Sequence, residues 1–89
     1  MIEREVEIVN RLGLHARAAA KLVQTAGDFQ SRLWVVKDGD AVDAKSILGL
    51  LLLAASQGTR VTLRADGSDE EAALEAVEEL IADRFHEDA

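Results

Sequence analysis

Eighty-nine residues with 48% hydrophobic content and no cysteine suit one domain, 1–89, with a single core, and exclude a disulfide framework, a thiolate metal site or a cysteine nucleophile. Net charge is −7, but residues 1–65 hold nine Lys or Arg against seven Asp or Glu, while residues 66–89 hold one against ten. With three aromatics and no basic stripe, nucleic acid is not an expected partner.

The first segment alternates Ile2, Arg4, Val6 and Ile8 with Glu3, Glu5 and Glu7, the pattern of a half-buried strand ending near Val9. From Ala16 to about Ala26 the period becomes helical, with Ala19, Leu22, Val23 and Ala26 on one stripe and Gly27 closing it. Segments 32–37 and 41–44 flank Asp38-Gly39-Asp40, a hairpin signal. Leu33 and Val35 share one face of that strand, Trp34 and Val36 the other, and one pair must meet the open side of the sheet. Helical composition resumes from Ser46 to about Ala55 and is expected to end at Gly58. A last strand follows at Val61-Leu63-Ala65. Ser68 or Asp69 can cap a final helix whose Ala73, Leu74, Val77, Leu80 and Ile81 face inward, with Glu70 and Glu71 well placed for its dipole. The order βαββαβα implies an α+β fold, a mostly antiparallel sheet with helices on one face; the pattern leaves strand order open.

The longest strongly apolar run, residues 47–55, is too short to span a bilayer, and the N-terminus has no apolar signal core. A cytoplasmic protein without membrane insertion is expected. The two histidines, His15 and His86, lack ligand-like spacing, so no metal site is expected.

His15 stands between Gly13 and the start of a helix, with Arg17 two positions on. Helix N-terminal N–H groups and the dipole favour an anion there, and a guanidinium can fork onto phosphate oxygens. No acidic residue occurs between Glu7 and Asp28, whereas Arg11, Arg17 and Lys21 do, so the local field is expected to be positive. This is the layout of a phosphorylatable imidazole: His15 as nucleophile, Arg17 neutralising the phosphate, and Gly13 and Ala16 letting backbone approach it. His86, in a polar tail with Glu87 and Asp88, reads as a solvated residue.

Residues 47–53 are too apolar for a helix burying one stripe. Leu50, Leu53 and Ala54 are assigned to the core, and Ile47, Leu48 and Leu51 to an exposed docking patch. Ser46 is the natural N-cap of this helix; a phosphate on it would set about −1.5 to −2 charges beside the patch, partly screened by Lys45.

Two separated motifs, Gly13-Leu14-His15-Ala16-Arg17 and Lys45-Ser46-Ile47-Leu48-Gly49-Leu50 with Ala54-Ala55-Ser56-Gln57-Gly58, make the chain resemble the HPr family nearly end to end. These are the histidine-containing phosphocarriers of the bacterial phosphoenolpyruvate-dependent phosphotransferase system, including its nitrogen-related branch. The resemblance implies an open-faced β-sandwich with strands ordered 1-4-2-3 under three helices. It implies that His15 accepts a phosphoryl group on Nδ1 from phosphorylated Enzyme I and donates it to a histidine of a IIA domain. It also implies that Ser46 matches the position phosphorylated by HPr kinase/phosphorylase, and that the protein is a monomeric carrier without a cofactor rather than a stand-alone enzyme. The rival reading is a regulatory binding module acting through the Ser46 surface without turnover at His15. One departure is Ala18, where the family usually has Pro; Ala keeps the N–H and remains a strong helix former.

Overall fold

In the computed structural model, which describes residues 1–88, the central hairpin turns where Asp38 and Gly39 both take positive φ, 52° and 85°. That backbone matches the twist of the strands it joins. It connects β2 (Arg32–Lys37) to β3 (Asp40–Asp43), with Lys37 opposite Asp40. β1 (Ile2–Glu7) and β4 (Arg60–Asp66) complete one antiparallel sheet ordered β1-β4-β2-β3, as the resemblance implies. The pairing of β1 continues beyond its end, where Ile8 N–H donates to Thr59 and Gly58 N–H to Ile8.

Alternation decides the faces. Leu33, Val35, Val61, Leu63 and Ala65 are buried beneath the helices, while Trp34 and Val36 take the open side. There Arg64 pairs with Glu3 at 2.6 Å and Arg60 with Glu5 at 2.9 Å, exposed pairs that contribute little to stability.

Over the inner face lie α1 (Ala16–Gly27), α2 (Ile47–Leu53) and α3 (Glu70–Ala82). The α3 stripe, Ala73, Leu74, Val77, Leu80 and Ile81, is wholly buried as expected. On α1 the buried stripe is Ala18, Ala19, Leu22 and Ala26, with Val23 at its margin. No helix among the described residues is long and apolar enough to cross a membrane.

Two helix ends differ from expectation. Gly58 does not end α2: Ala54 turns left-handed (φ 54°, ψ 42°) directly after Leu53, and Lys37 Nζ reaches the carbonyls of Leu53 and Ala54 at 3.2 and 3.5 Å. Ala54 is therefore exposed, and Ala55 enters the core in its place. At α3, Asp69 stands at the N-cap but its side chain does not cap. Its carboxylate instead accepts the backbone N–H groups of Gln30 and Ser31, both at 2.9 Å, and the Ser31 hydroxyl, tying the α1–β2 loop to the helix.

Beyond α3, Arg84, Phe85 and His86 form a single turn, all with positive φ (56°, 54° and 63°). Such a backbone costs a non-glycine residue roughly 1–2 kcal/mol. Phe85 anchors it, fully buried in the core, and Lys21 Nζ on α1 donates to its carbonyl at 2.6 Å.

Candidate functional site at the start of helix α1

The loop from β1 to α1 is closed from within. Asn10 is fully buried, and its Nδ2 donates to the Gly13 carbonyl at 2.7 Å while Gly13 N–H returns a bond to Asn10 O at 3.1 Å. Gly13 sits at φ +66°, and a Cβ there would lie 2.6 Å from Ala55 O. Next door, Leu14 N–H donates to that same oxygen at 2.8 Å. Gly13 is buried, and its missing side chain admits the 55–56 segment. Through that contact the α2–β4 connection fixes the loop carrying His15.

His15 is the N-cap of α1 (φ −80°, ψ 178°), yet its side chain caps nothing. Its carbonyl accepts the first helical bond, from Ala19 N–H at 2.8 Å. Ala16, Arg17 and Ala18 therefore begin the helix with N–H groups that no preceding turn can satisfy. The first turn holds no acidic residue, so nothing from the helix itself offsets its positive end. Arg17 is exposed and makes no hydrogen bond or ion pair among the described residues. With Arg11 and Lys21 it lines an open groove of about 480 Å³ that also reaches Glu87.

Glu87 is the residue that reading along the sequence missed. The turn anchored by Phe85 sends His86 outward, its Nδ1 2.5 Å from Asp83, as a solvated residue. The same turn sends Glu87 inward. One carboxylate oxygen takes the second Nδ2 proton of Asn10 at 3.0 Å, and the other lies against His15 Nε2. Burial acts to raise the Glu87 carboxyl, but hydrogen bonds from Asn10 and His15, with the charges of His15 and Arg17, outweigh it and hold the group below its ordinary value. The field at His15 is thus not uniformly positive: cations lie along the groove and one carboxylate stands behind the ring. Phe85, alone among polar neighbours in 83–88, is the signal that could have found this. A buried anchor there returns the next residues to the protein surface.

On the adjoining face Ser46 occupies the N-cap of α2, and its Oγ accepts Gly49 N–H at 3.0 Å. Ile47, Leu48 and Leu51 are exposed as expected, and Leu52, 75% exposed against 67% for Leu48, extends the patch. Residues 47/51 and 48/52 are one helical turn apart, so the four form one stripe. Leu50 and Leu53 face the core. Lys45 Nζ donates to Phe29 O at 2.9 Å.

Residues 2–83 match the family model described as the PTS HPr component phosphorylation site. The chain is 54% identical to the phosphocarrier protein HPr of Xylella fastidiosa over 88 residues, 99% of either chain. It superposes on HPr-C-His from Thermoanaerobacter tengcongensis with a TM-score of 0.96 at 50% identity, covering all of both chains. An HPr dimer from the same organism aligns with a TM-score of 0.79 at 52% identity, over 98% of this chain and 100% of that one.

Proposed function

Since the chain belongs to the HPr family, the phosphocarriers of the phosphotransferase system, we propose that His15 is its phosphoryl acceptor, loaded by phosphorylated Enzyme I and unloaded onto a histidine of a IIA domain. The observation that carries this reading is the bare start of α1: a half-buried imidazole at the N-cap, acid-free first-turn N–H groups and, beside it, an Arg17 that makes no ion pair among the described residues. An incoming phosphoryl group would supply the negative charge that this helix end lacks, and Arg17 would fork onto its oxygens.

The exposed stripe Ile47-Leu48-Leu51, with Leu52, lies beside this site in the proposed encounter surface for Enzyme I and IIA domains. Ser46, at its head, is the proposed point of regulation. Phosphorylation by an HPr kinase/phosphorylase would set about −1.5 to −2 charges at the edge of an apolar docking face, disfavouring the encounter without touching His15. The proposed setting is the cytoplasm, and the proposed working unit is the monomer.

Incubation with phosphoenolpyruvate and Enzyme I, followed by mapping of the label, tests the assignment. Acid-labile phosphate on His15 is expected. Label on His86 would overturn the His15 assignment, and no histidine-bound label would replace the carrier reading with that of a regulatory module acting through the Ser46 surface.

A further inference from the structure

We propose that Glu87 is a positioning residue for the phosphoryl acceptor: its carboxylate holds the His15 ring by Nε2, so that Nδ1 is the nitrogen presented to the phosphoryl donor. The proposal rests on His15 being the acceptor, and it adds what selects and steadies the reactive nitrogen.

Both oxygens of the carboxylate are committed. Oε1 takes a proton from the fully buried Asn10, and Oε2 faces His15 Nε2. The support behind Glu87 is equally defined, since Phe85 is locked in the core and its carbonyl is held by Lys21 of α1. Ring and carboxylate are thereby both tied to α1, the ring as its N-cap residue and the carboxylate through the Phe85–Lys21 contact. Residues 84–86 adopt three successive left-handed conformations around the buried Phe85. Strain of this kind persists where surrounding structure enforces it, and it clusters at functional sites. Here it delivers a side chain 72 positions along the chain to the imidazole.

The chemistry follows from the ring's two nitrogens. A neutral imidazole has one N–H and one lone pair, and a carboxylate accepting at Nε2 places the proton there and the lone pair on Nδ1. Nδ1 makes no hydrogen bond among the described residues. The one buried polar side-chain atom left without a partner among them is Asn10 Oδ1, so Nδ1 is open to solvent. In the transfer the Nδ1 lone pair forms the N–P bond while the donor's bond to phosphorus breaks, its electron pair staying on the donor atom. The Nε2 proton is retained, and the ring takes up one positive charge, which the Glu87 carboxylate faces. Onward transfer reverses these changes. The carboxylate and the phosphoryl group occupy opposite edges of the ring, so Glu87 supports the cation while Arg17 remains available to the anion.

The test uses the full chain and two variants, Glu87→Gln, which keeps the shape and an acceptor but loses the charge, and Glu87→Ala. In wild type with ¹⁵N-labelled histidine, the Nε2 proton is expected as a downfield resonance protected from exchange. It should weaken in Glu87→Gln and vanish in Glu87→Ala, while the circular dichroism melts stay cooperative. The maximal rate of phosphorylation by phosphoenolpyruvate and Enzyme I should fall about tenfold in Glu87→Ala and less in Glu87→Gln, at an unchanged KM for the carrier. Persistence of the resonance in Glu87→Ala, or variant rates equal to or above wild type, would overturn the proposal alone. No uptake by wild type would remove the acceptor reading and this proposal with it.

Discussion

Helices α1 and α3 lie on the same face of the sheet, and their N-termini are built in opposite ways. The start of α3 is saturated with acid: Glu70 and Glu71 occupy the first turn, Asp69 stands at the N-cap, and Glu70 also accepts Gly67 N–H at 3.1 Å. The start of α1 has no acid and carries an arginine where the helix dipole disfavours a cation, although neither helix has a side-chain cap. One helix end carries the acids of its own sequence that complement its dipole, which favours stability. The other is kept electropositive and open, which favours an anion arriving from outside. The carboxylate that does approach it, Glu87, comes from the far end of the chain and meets the imidazole, not the helix N–H groups.

The largest expected effect breaks this comparison at its centre. His15→Ala removes the acceptor and should abolish acid-labile phosphate uptake in the Enzyme I assay while the domain melts as a folded protein. Arg17→Glu sharpens the comparison by making α1 resemble α3. Transfer should slow by roughly 10- to 100-fold, the worth of a lost charge-assisted contact. Thermal stability should hold or rise, because an acid in a first turn contributes about 0.3–1 kcal/mol. A drop in stability matching the loss of rate would count against the division of labour between the two helix ends.

A smaller effect separates the two faces of α2. Leu48→Glu should raise the KM for Enzyme I and leave the circular dichroism spectrum intact, whereas Leu50→Glu, which places a charge in the core, should unfold the chain. Loss of fold in Leu48→Glu would show that this leucine does not face outward.

At α3 the prediction concerns acid. The Ser31 hydroxyl and the Gln30 N–H, with Ser31 N–H, hold the Asp69 carboxyl below its ordinary value of 3.8, against a smaller opposing contribution from desolvation. A depressed native value means that the stabilisation is complete above 3.8 and disappears as pH falls through the lower native value. Asp69→Asn should therefore be less stable than wild type at neutral pH, and denaturant melts of the two should converge in that acid range. A gap independent of pH would place the stabilisation elsewhere.

The smallest effect is expected of Ala18→Pro, the residue usual in the family. A first-turn N–H has no helical acceptor to lose, and the φ that proline requires is helical. The change in stability should stay within about 1 kcal/mol, measured by chemical denaturation.

What was legible along the sequence was whatever a period or a turn encodes locally. The inward stripe of α3, the Asp38-Gly39 turn and the alternation of β4 are all of this kind. Strand order came from the family resemblance, because an element string alone fits several topologies. The features that escaped are contacts between distant segments. Asp69 sits where a cap belongs, but Ser31, from another loop, claims its carboxylate. Ala54 is forced left-handed where glycine was the expected stop, with Lys37 of the sheet at the neighbouring carbonyls. Glu87 reads as tail until Phe85 is placed in the core. At the site itself, His15, Ala16 and Arg17 stood together in sequence and remain together in space, whereas their supports, Asn10 and Glu87, are joined only by the fold.

The division between the two helix ends is tested most directly by following the backbone amides through phosphorylation in ¹H–¹⁵N NMR spectra. The amides of Ala16, Arg17 and Ala18 should shift strongly when His15 is phosphorylated, while those of Glu70 and Glu71 stay in place. Unmoved α1 amides in protein shown by mass to be fully phosphorylated would contradict the account, because the anion would then be held somewhere other than the helix start left open for it.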